Sequence, residues 1–272
     1  MSALTVRAEP GSISPGRIPE TLATLPESLR LTDDHADIIA VLGDAGWSHR
    51  ALSGIRSGAR GVMVVNPCIE EVRELRTEAN AASVPVVLDT SWVHNPAVAA
   101  VSEQLRRIAN TGALVESTVT LDAEMTDETA ILAQLVLIRA TVGAVRRVDF
   151  WESDEHGYRA FGHLESATDI AVSAIRTNAY PPSARLRVVG RDELAELSVP
   201  APSTATSALA VSANTEEQAV HPTPFESAHR SAWRRLHSVT TTGVPVADLS
   251  SFAEDAVTAR RILSRSGSSE TS

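Results

Sequence analysis

The stretch that decides the fold is residues 36–67, ADIIAVLGDAGWSHRALSGIRSGARGVMVVNP. A short apolar run ends at Gly43, a helix-like segment covers about 47–56, and a second apolar run covers 61–65. Short apolar runs bounded by turn residues are typical of buried parallel strands, and strands joined by helices form right-handed crossovers. The pattern therefore predicts a strand, a helix and a second strand of a parallel α/β sheet.

The same alternation continues toward the C-terminus. Asn66-Pro67 predicts a helix that begins with Asn as N-cap and Pro in the first turn, and that runs to about residue 82. A third strand follows over 84–88, and Asn95-Pro96 repeats the helix start. These elements predict a Rossmann-like parallel sheet.

The pattern changes after Gly112, where strands follow one another without intervening helices. Thr126 predicts the N-cap of a single helix to about residue 141, and Thr223 and Ser251 predict the starts of two closing helices. Between them the predicted strands are 113–120, 144–151, 158–164, 169–176, 184–189 and 193–199, with a loop over 200–220. Successive strands of this kind predict an open mixed or antiparallel sheet.

The predicted fold class is therefore α/β, a truncated Rossmann-like parallel sheet followed by an α+β domain with an open mixed or antiparallel sheet. Residues 1–35 are rich in Pro, Ser and Gly and are interpreted as an extended lead-in. Residues 36–115 form the incomplete Rossmann-like domain and 116–265 the second domain. Residues 266–272 are interpreted as a disordered tail.

Composition narrows the range of functions. The net charge of -10 and the pI near 5.3 argue against a nucleic-acid partner or an anionic membrane surface, since both require a basic face. The single cysteine rules out an internal disulfide, and no apolar run has the length of a membrane span, so we expect a cytoplasmic protein. The chain contains no lysine, which excludes every mechanism that depends on a lysine amine.

Several stretches resemble, in their shared order, the Gfo/Idh/MocA oxidoreductases, a family named for glucose–fructose oxidoreductase and inositol dehydrogenase. They are ADIIAVLGDAGWSH, RALSGIRSGARGVMVVNP, ILAQLVLIRATVGAVRRVDFW and PFESAHRSAW. The resemblance covers roughly residues 36–265. It implies a dinucleotide-binding domain, a second α/β domain with a large open sheet, and NAD(P)-dependent oxidation of a sugar or polyol.

The chain departs from that family at three places. It has no Gly-x-Gly, the turn that lets a pyrophosphate approach a helix N-terminus. Val65-Asn66 stands where the resemblance implies Glu-Lys, and the helix over 126–141 contains no His, where the family places its catalytic acid/base. These losses predict a catalytically degenerate, N-terminally truncated homologue with a binding, accessory or scaffold role and no cofactor.

Two alternatives stay open. The first is an active NAD(P)-dependent dehydrogenase of a sugar or polyol CH–OH group that uses NAD or NADP in a rearranged site. The second is a subunit whose site is completed by a partner chain. Metal-dependent and serine-hydrolase chemistry have no support in the sequence. The His residues are scattered without metal-ligand spacing, and no Gly-x-Ser-x-Gly motif occurs.

The candidate catalytic residues are Asn66, at the position that the resemblance assigns to Lys, and His94, near the end of the third strand. Asn66 is also interpreted as a helix cap, which is the plainer reading of Asn-Pro. The candidate cofactor contacts are Gly43, Asp44, His49 and Pro67. A rival alignment makes Gly43-Asp44-Ala45-Gly46 a degenerate dinucleotide loop, with 36–58 as the first strand–helix unit.

Four other residues each have both a functional and a structural interpretation. Asp89, Trp47 and Trp92 lie near predicted strand ends and line either a cleft or the core. Cys68 is predicted just inside a helix start, where a thiol can be activated, although a small buried Cys is the more common case.

Assembly is predicted from the second domain. Val148 and Phe150 are predicted on one face of their strand, and Ile170 and Val172 on one face of another. Together they would leave apolar surface exposed on a monomer. We therefore expect a homo-oligomer, or a complex with an intact homologue, through the C-terminal sheet.

Overall fold

The computed structural model describes residues 3–9, 18–25, 27–122, 125–204 and 208–266. These residues form two compact units. The first comprises Met1–His94 with Ala228–Glu254, and the second comprises Asn95–Ser227 with Asp255–Ser272.

The first unit is built on five parallel strands in the order β2-β1-β3-β4-β5. The strands are β1 (Leu4–Ala8), β2 (Leu29–Leu31), β3 (Ile38–Leu42), β4 (Gly61–Val65) and β5 (Val86–Asp89). Every residue of β4 and β5 is buried, as expected for parallel strands that are covered on both faces.

Four helices belong to this unit. They are α1 (Ile18–Ala23), α2 (Trp47–Arg56), α3 (Arg73–Ala82) and α6 (Ala228–Thr242). Trp233 and Leu236 of α6 are buried in one apolar cluster with Ile18 of α1 and Val6 of β1. Because α2 contacts both β3 and β4, it covers the neighbouring part of the sheet.

The predicted extended lead-in over 1–35 differs from the structure, which places β1, α1 and β2 in this segment. β1 lies between β2 and β3, so the sheet begins at Leu4 rather than at residue 36. The sequence pattern for a strand at β1 is weak because this segment is short and carries Arg7. The strand is specified by its partners instead, and the Thr5 backbone N–H and hydroxyl both donate to the Asp37 carboxylate, at 2.9 and 3.0 Å.

The second unit is built on eight strands in the order β13-β12-β11-β10-β6-β9-β8-β7. Only β6 and β9 pair in parallel, so the sheet is open and mixed, as predicted. The strands are β6 (Leu114–Leu121), β7 (Val145–Asp154), β8 (Gly157–Leu164), β9 (Asp169–Arg176), β10 (Ser183–Val189), β11 (Glu193–Val199), β12 (Leu209–Asn214) and β13 (Gln218–His221).

Helices cover one face of this sheet. α4 (Pro96–Ala109) contacts β10 and β11, and α5 (Asp127–Thr141) contacts β6. Both predicted N-caps are confirmed, since the Asn95 side chain accepts the Ala97 N–H and the Thr126 side chain accepts the Thr129 N–H. The last helix, α7 (Asp248–Ser266), spans the boundary of the two units in sequence.

Predictions for the last third of the chain need correction. The predicted loop over 200–220 contains β12 and most of β13. Thr223 does not cap a helix, because its hydroxyl donates to the Ala208 carbonyl and α6 begins only at Ala228. α7 begins at Asp248, one turn before the predicted Ser251. The predicted tail over 266–272 lies almost entirely outside the described residues.

The predicted boundary at residues 115 and 116 also differs from the observed units. α6 belongs to the first unit because its apolar side chains pack against the parallel sheet, although it follows the second sheet in sequence. None of the helices in the described part of the chain combines the length and the apolar character that a membrane span requires. Within the same residues, no group of three or more His, Cys, Asp or Glu side chains is arranged to hold a metal ion.

Candidate functional site

The carboxyl ends of β3, β4 and β5 lie at one edge of the parallel sheet, where open α/β folds bind their ligands. Gly43 follows β3, Asn66 follows β4, and Asp89 ends β5. The Gly43 N–H donates to the Val65 carbonyl and the Asn66 N–H donates to the Asp89 carbonyl. The edge is therefore held together by its own backbone.

Gly43 packs directly on the turn that follows β4. A Cβ atom at Gly43 would lie 2.2 Å from the Pro67 Cα and 2.3 Å from the Asn66 carbonyl oxygen. The Cys68 N–H also donates to the Gly43 carbonyl, at 2.6 Å. The missing side chain of Gly43 thus permits close contact between two turns, and two of the four candidate cofactor residues, Gly43 and Pro67, are used in that contact.

The predicted helix cap at Asn66 is wrong. Asn66 has φ of 51°, in the left-handed region, and α3 begins at Arg73 after Val72. The intervening residues 66–72 form a turn that packs on Gly43, so tertiary contact overrides the local Asn-Pro signal. Cys68 accordingly lies in this turn rather than at a helix start.

Arg50 of α2 forms an ionic cluster across the ends of β1 and β3. Its Nε donates to Glu9, which directly follows β1, at 3.0 Å, and its guanidinium also pairs with Asp44. The Leu42 and Ala45 carbonyl oxygens accept from Arg50 at 2.8 and 2.7 Å. Although burial opposes the charged form, the two carboxylates outweigh it and raise the pKa of Arg50.

The N-terminus of α2 is capped by a carboxylate from another turn. Glu70 accepts the Gly46 and Ser48 backbone N–H groups, the second at 3.1 Å. Burial acts to raise the pKa of Glu70, but these N–H donors outweigh it and hold the pKa below the usual value. The anion-binding end of α2, which the rival alignment would use for a dinucleotide, is thus filled by the protein itself. That alignment also fails because β1 and β2 precede β3 in the sheet.

His49 lies in a cavity of about 420 Å³ beside β1 and α2. Its lining also includes Arg7, Glu9, Arg50 and Ser53. The cavity combines two guanidinium groups with the Glu9 carboxylate, a hydroxyl and an imidazole. His49, a predicted cofactor residue, therefore lines a polar cavity.

The pair formed by Asp89 and His229 was not predicted from the sequence. His229 Nδ1 lies 2.6 Å from Asp89 Oδ2, and both side chains are almost completely buried. The second carboxylate oxygen, Asp89 Oδ1, has no hydrogen-bond partner among the described residues. The two residues are 140 positions apart, so no local pattern could have joined them.

His94 and the two tryptophans take structural positions. The His94 ring bonds the Leu88 carbonyl through Nε2, at 2.8 Å. Trp47 and Trp92 are completely buried, which favours the core interpretation, and Trp47 donates to the Cys68 carbonyl at 2.9 Å. His94 and Asn66 follow the carboxyl ends of β5 and β4, at the same edge of the sheet.

The described residues fit a dinucleotide poorly. In doubly wound folds the pyrophosphate lies against the turn after the first strand. Here Glu9 places a carboxylate directly after β1, and Arg50 is already shared between two carboxylates. The rest of that turn, residues 10–17, lies outside the described residues.

Comparisons with known proteins give a match only at the level of structure. Neither a scan against protein-family models nor a search of curated protein sequences finds a match. A dehydrogenase from Chromobacterium violaceum has a TM-score of 0.73 at 13% identity, covering 98% of this chain and 96% of that chain. A 3-ketoreductase from Actinomadura kijaniata, in complex with NADP, has a TM-score of 0.72 at 11% identity over 97% of both chains.

A UDP-N-acetylglucosamine 3-dehydrogenase from Acidithiobacillus ferrooxidans is similar to the same degree, with a TM-score of 0.71 at 13% identity over 98% of both chains. At such identities the likeness shows the fold alone. The fold implied by the resemblance to Gfo/Idh/MocA oxidoreductases is thereby confirmed: a parallel α/β sheet followed by a mixed sheet, as in these dehydrogenases.

Proposed function

We propose that this chain is a dehydrogenase-fold protein without hydride-transfer activity, which acts as a binding or accessory subunit. The observation that carries the proposal is the Glu9–Arg50–Asp44 cluster at the carboxyl ends of β1 and β3. This is the place at which a dinucleotide's pyrophosphate lies in folds of this class.

The electrostatics of the cluster oppose an anionic cofactor. Two carboxylates share the one guanidinium of Arg50, since Arg50 pairs with both Glu9 and Asp44. A pyrophosphate brought to this edge would meet the Glu9 carboxylate and would have to compete for Arg50. The N-terminus of α2 offers no substitute because Glu70 occupies it.

The chemistry of proton transfer points the same way. Hydride transfer at an alcohol carbon needs a proton donor or acceptor at the reacting oxygen. The chain has no lysine, α5 carries no histidine, and the amide of Asn66 does not titrate near neutral pH.

An accessory role requires a surface for a partner. The outer face of the second sheet, defined as the face opposite α4 and α5, exposes six large apolar side chains. They are Leu114, Phe150, Phe161, Ile175, Leu209 and Val220. We propose that a second copy of this chain, or an intact homologue, binds this outer face.

Isothermal titration with NAD(H) and NADP(H) tests the loss of cofactor binding. We expect no binding tighter than about 1 mM by the purified chain. Glu9→Ala should remove one carboxylate from this edge, leave Arg50 paired with Asp44 alone, and strengthen binding by about tenfold, roughly the value of one charged contact. Asp34→Ala, at an exposed acid outside the cluster, is the control and should change nothing.

Micromolar binding by the unmodified chain would contradict this proposal and favour a second function. That function is an NAD(P)-dependent dehydrogenase acting on a sugar or polyol CH–OH group. The similarity in fold to a 3-ketoreductase that binds NADP supports it, and His229 with Asp89 would be its proton-handling pair.

An activity assay separates the two functions. We expect no reduction of NAD or NADP across a panel of sugars and polyols. If turnover is seen, its loss in His229→Asn and its survival in Asn66→Ala would assign proton transfer to His229. Turnover that appears only when an intact homologue is added would place the site in a complex of the two chains.

A further inference from the structure

A cluster of four charged side chains lies beside the exposed aromatic pair on the outer face. His163 of β8 has Nδ1 at 2.8 Å from Asp169 Oδ1 of β9, and Nε2 at 3.1 Å from Asp149 Oδ2 of β7. Arg147 of β7 forms an ion pair with the other oxygen of Asp149, with Nε at 2.7 Å from Oδ1. One imidazole thus links both neighbouring strands.

The two carboxylate contacts make different demands on the two protonation states of an imidazole. A neutral imidazole has one N–H and one bare nitrogen, whereas the imidazolium has two N–H donors. Ionised carboxylates only accept hydrogen bonds. Because both ring nitrogens of His163 face carboxylate oxygens, only the imidazolium can donate to both at once.

The sequence builds this arrangement through a bulge in β7. The pairing of β7 with β8 shifts register between Val148 and Phe150, so that Asp149 and Phe150 are both exposed although they are consecutive. The shift requires Gly162, where a Cβ would lie 2.1 Å from the Arg147 carbonyl oxygen. Bulges commonly re-aim a side chain in this way, and here the bulge directs Asp149 to His163.

We propose that protonated His163 on β8 ties edge strand β7 to β9 through its two carboxylate contacts, an arrangement called the clasp below. Its proton also sets the charge of the outer face. Its role in association rests on the proposed function, in which this face binds a second copy or a homologue. In the closed state, His163 and Arg147 balance Asp149 and Asp169.

Loss of the proton changes both the structure and the charge. The neutral ring keeps one N–H donor and can no longer donate to both carboxylates, which weakens the side-chain link that runs from β7 through His163 of β8 to β9. One uncompensated negative charge then remains beside Phe150 and Phe161, whose rings lie 5.8 Å apart. In a symmetric dimer each copy would carry this extra charge, so association should weaken as pH rises through the range in which histidine titrates.

Analytical ultracentrifugation from pH 5.5 to 8.5 tests the clasp in the full chain. We expect the dissociation constant of the assembly to rise about five- to tenfold across this range, as the loss of exposed ionic contacts implies. His163→Gln should remove that dependence. His156→Gln is the matched control, since His156 is an exposed histidine of the β7–β8 turn and should leave the dependence intact.

Hydrogen exchange of the β7 amides tests the clasp even if the chain does not associate. In the wild type, exchange corrected for its intrinsic pH dependence should show less protection of β7 at high pH, and His163→Gln should show the low protection throughout. A pH-independent dissociation constant, or equal β7 protection in both proteins, would overturn the clasp. A chain that stays monomeric at every pH but shows the expected exchange would overturn the proposed association and leave the clasp standing.

Discussion

At the scale of single residues, two identical dipeptides have different outcomes. Asn95-Pro96 starts α4 with the Asn95 side chain as cap, whereas Asn66-Pro67 enters a turn and α3 starts only at Arg73. The difference is made by Gly43, which is distant in sequence and packs against the second dipeptide. A local motif therefore predicts a helix start only where no other turn competes for the same backbone.

Glu70 is the second residue on which this edge depends, since its carboxylate caps α2 from another turn. Its pKa lies below the usual value in the folded protein, so its stabilising contribution is complete above the unfolded pKa and is lost as pH falls through the folded pKa. We expect Glu70→Gln to lower the free energy of unfolding by about 1 kcal/mol at pH 7, with a fall in Tm of about 2–4 °C.

The difference between Glu70→Gln and the wild type should shrink in acid, as pH falls through the lowered pKa of Glu70 and the wild-type carboxyl also becomes neutral. Thermal melts at several pH values measure it. Glu78→Gln, at the surface of α3, is the control and should stay close to the wild type at every pH. A constant difference between pH 7 and pH 3 would show that Glu70 acts through packing rather than charge.

At the scale of elements, the start of α5 was predicted correctly from its N-cap, but the burial of the helix on nearly all sides was not predicted. Apolar residues lie on nearly all its sides, and Gln134 is completely buried among them. The Gln134 amide donates to the Ser117 carbonyl and hydroxyl and to the Ser173 carbonyl, at 2.9–3.2 Å, and its oxygen accepts the Tyr158 hydroxyl at 2.7 Å. Burial raises the pKa of Tyr158 well above its usual value, so the phenol remains the donor.

Gln134→Leu should lower the free energy of unfolding by about 2–3 kcal/mol, because it leaves the Tyr158 hydroxyl buried without its acceptor. Tyr158→Phe should cost less, about 1 kcal/mol, and the double variant should lose less than the sum of the single losses. Urea denaturation of the four proteins measures this cycle. Strict additivity would mean that the two side chains do not act as a unit.

Strands were predicted well where a long pattern of apolar residues marks them. The strands from β7 to β9 and the hairpin from β10 to β11 are of this kind. β1, β2, β12 and β13 were missed, because β1 is short and charged, β2 and β13 have only three and four residues, and β12 is rich in small residues. Such strands are specified by their partners in the sheet, and no local period records those contacts.

The same lack of local information about distant contacts explains why the roles of the candidate site residues were not predicted. Gly43, Asn66 and Asp89 were expected at one edge because parallel strands end together, and they do lie there. Their roles were not readable in advance. Glu9, Glu70 and His229, which fill or neutralise that edge, come from other turns and from a helix far along the chain.

At the scale of the whole molecule, the expectation of assembly rests on the outer face of the second sheet, to which Phe150 is the one residue of the original four that contributes. Val148 and Ile170 are buried, while Phe150 is exposed because of the bulge in β7. The central strands of the face carry paired charges, with Arg185 bound to Glu196 at 2.7 Å. Apolar side chains flank these charges, with aromatic rings on β7 and β8 and aliphatic groups on β12 and β13.

Phe161→Glu tests whether this face associates. The wild-type chain should exceed its monomer mass of 28.9 kDa in light scattering at micromolar concentration, alone or with a homologue recovered from cell extract. A charge at the centre of the aromatic pair should weaken association by about 100-fold or more, since a buried interface anchor is worth about 2 kcal/mol or more and an unpaired carboxylate adds a desolvation cost. Val244→Glu, which changes an equally exposed apolar residue of the first unit, should leave the mass unchanged. If the wild type is a monomer with no recoverable partner, the outer face is an ordinary solvent-exposed surface and the accessory role loses its physical support.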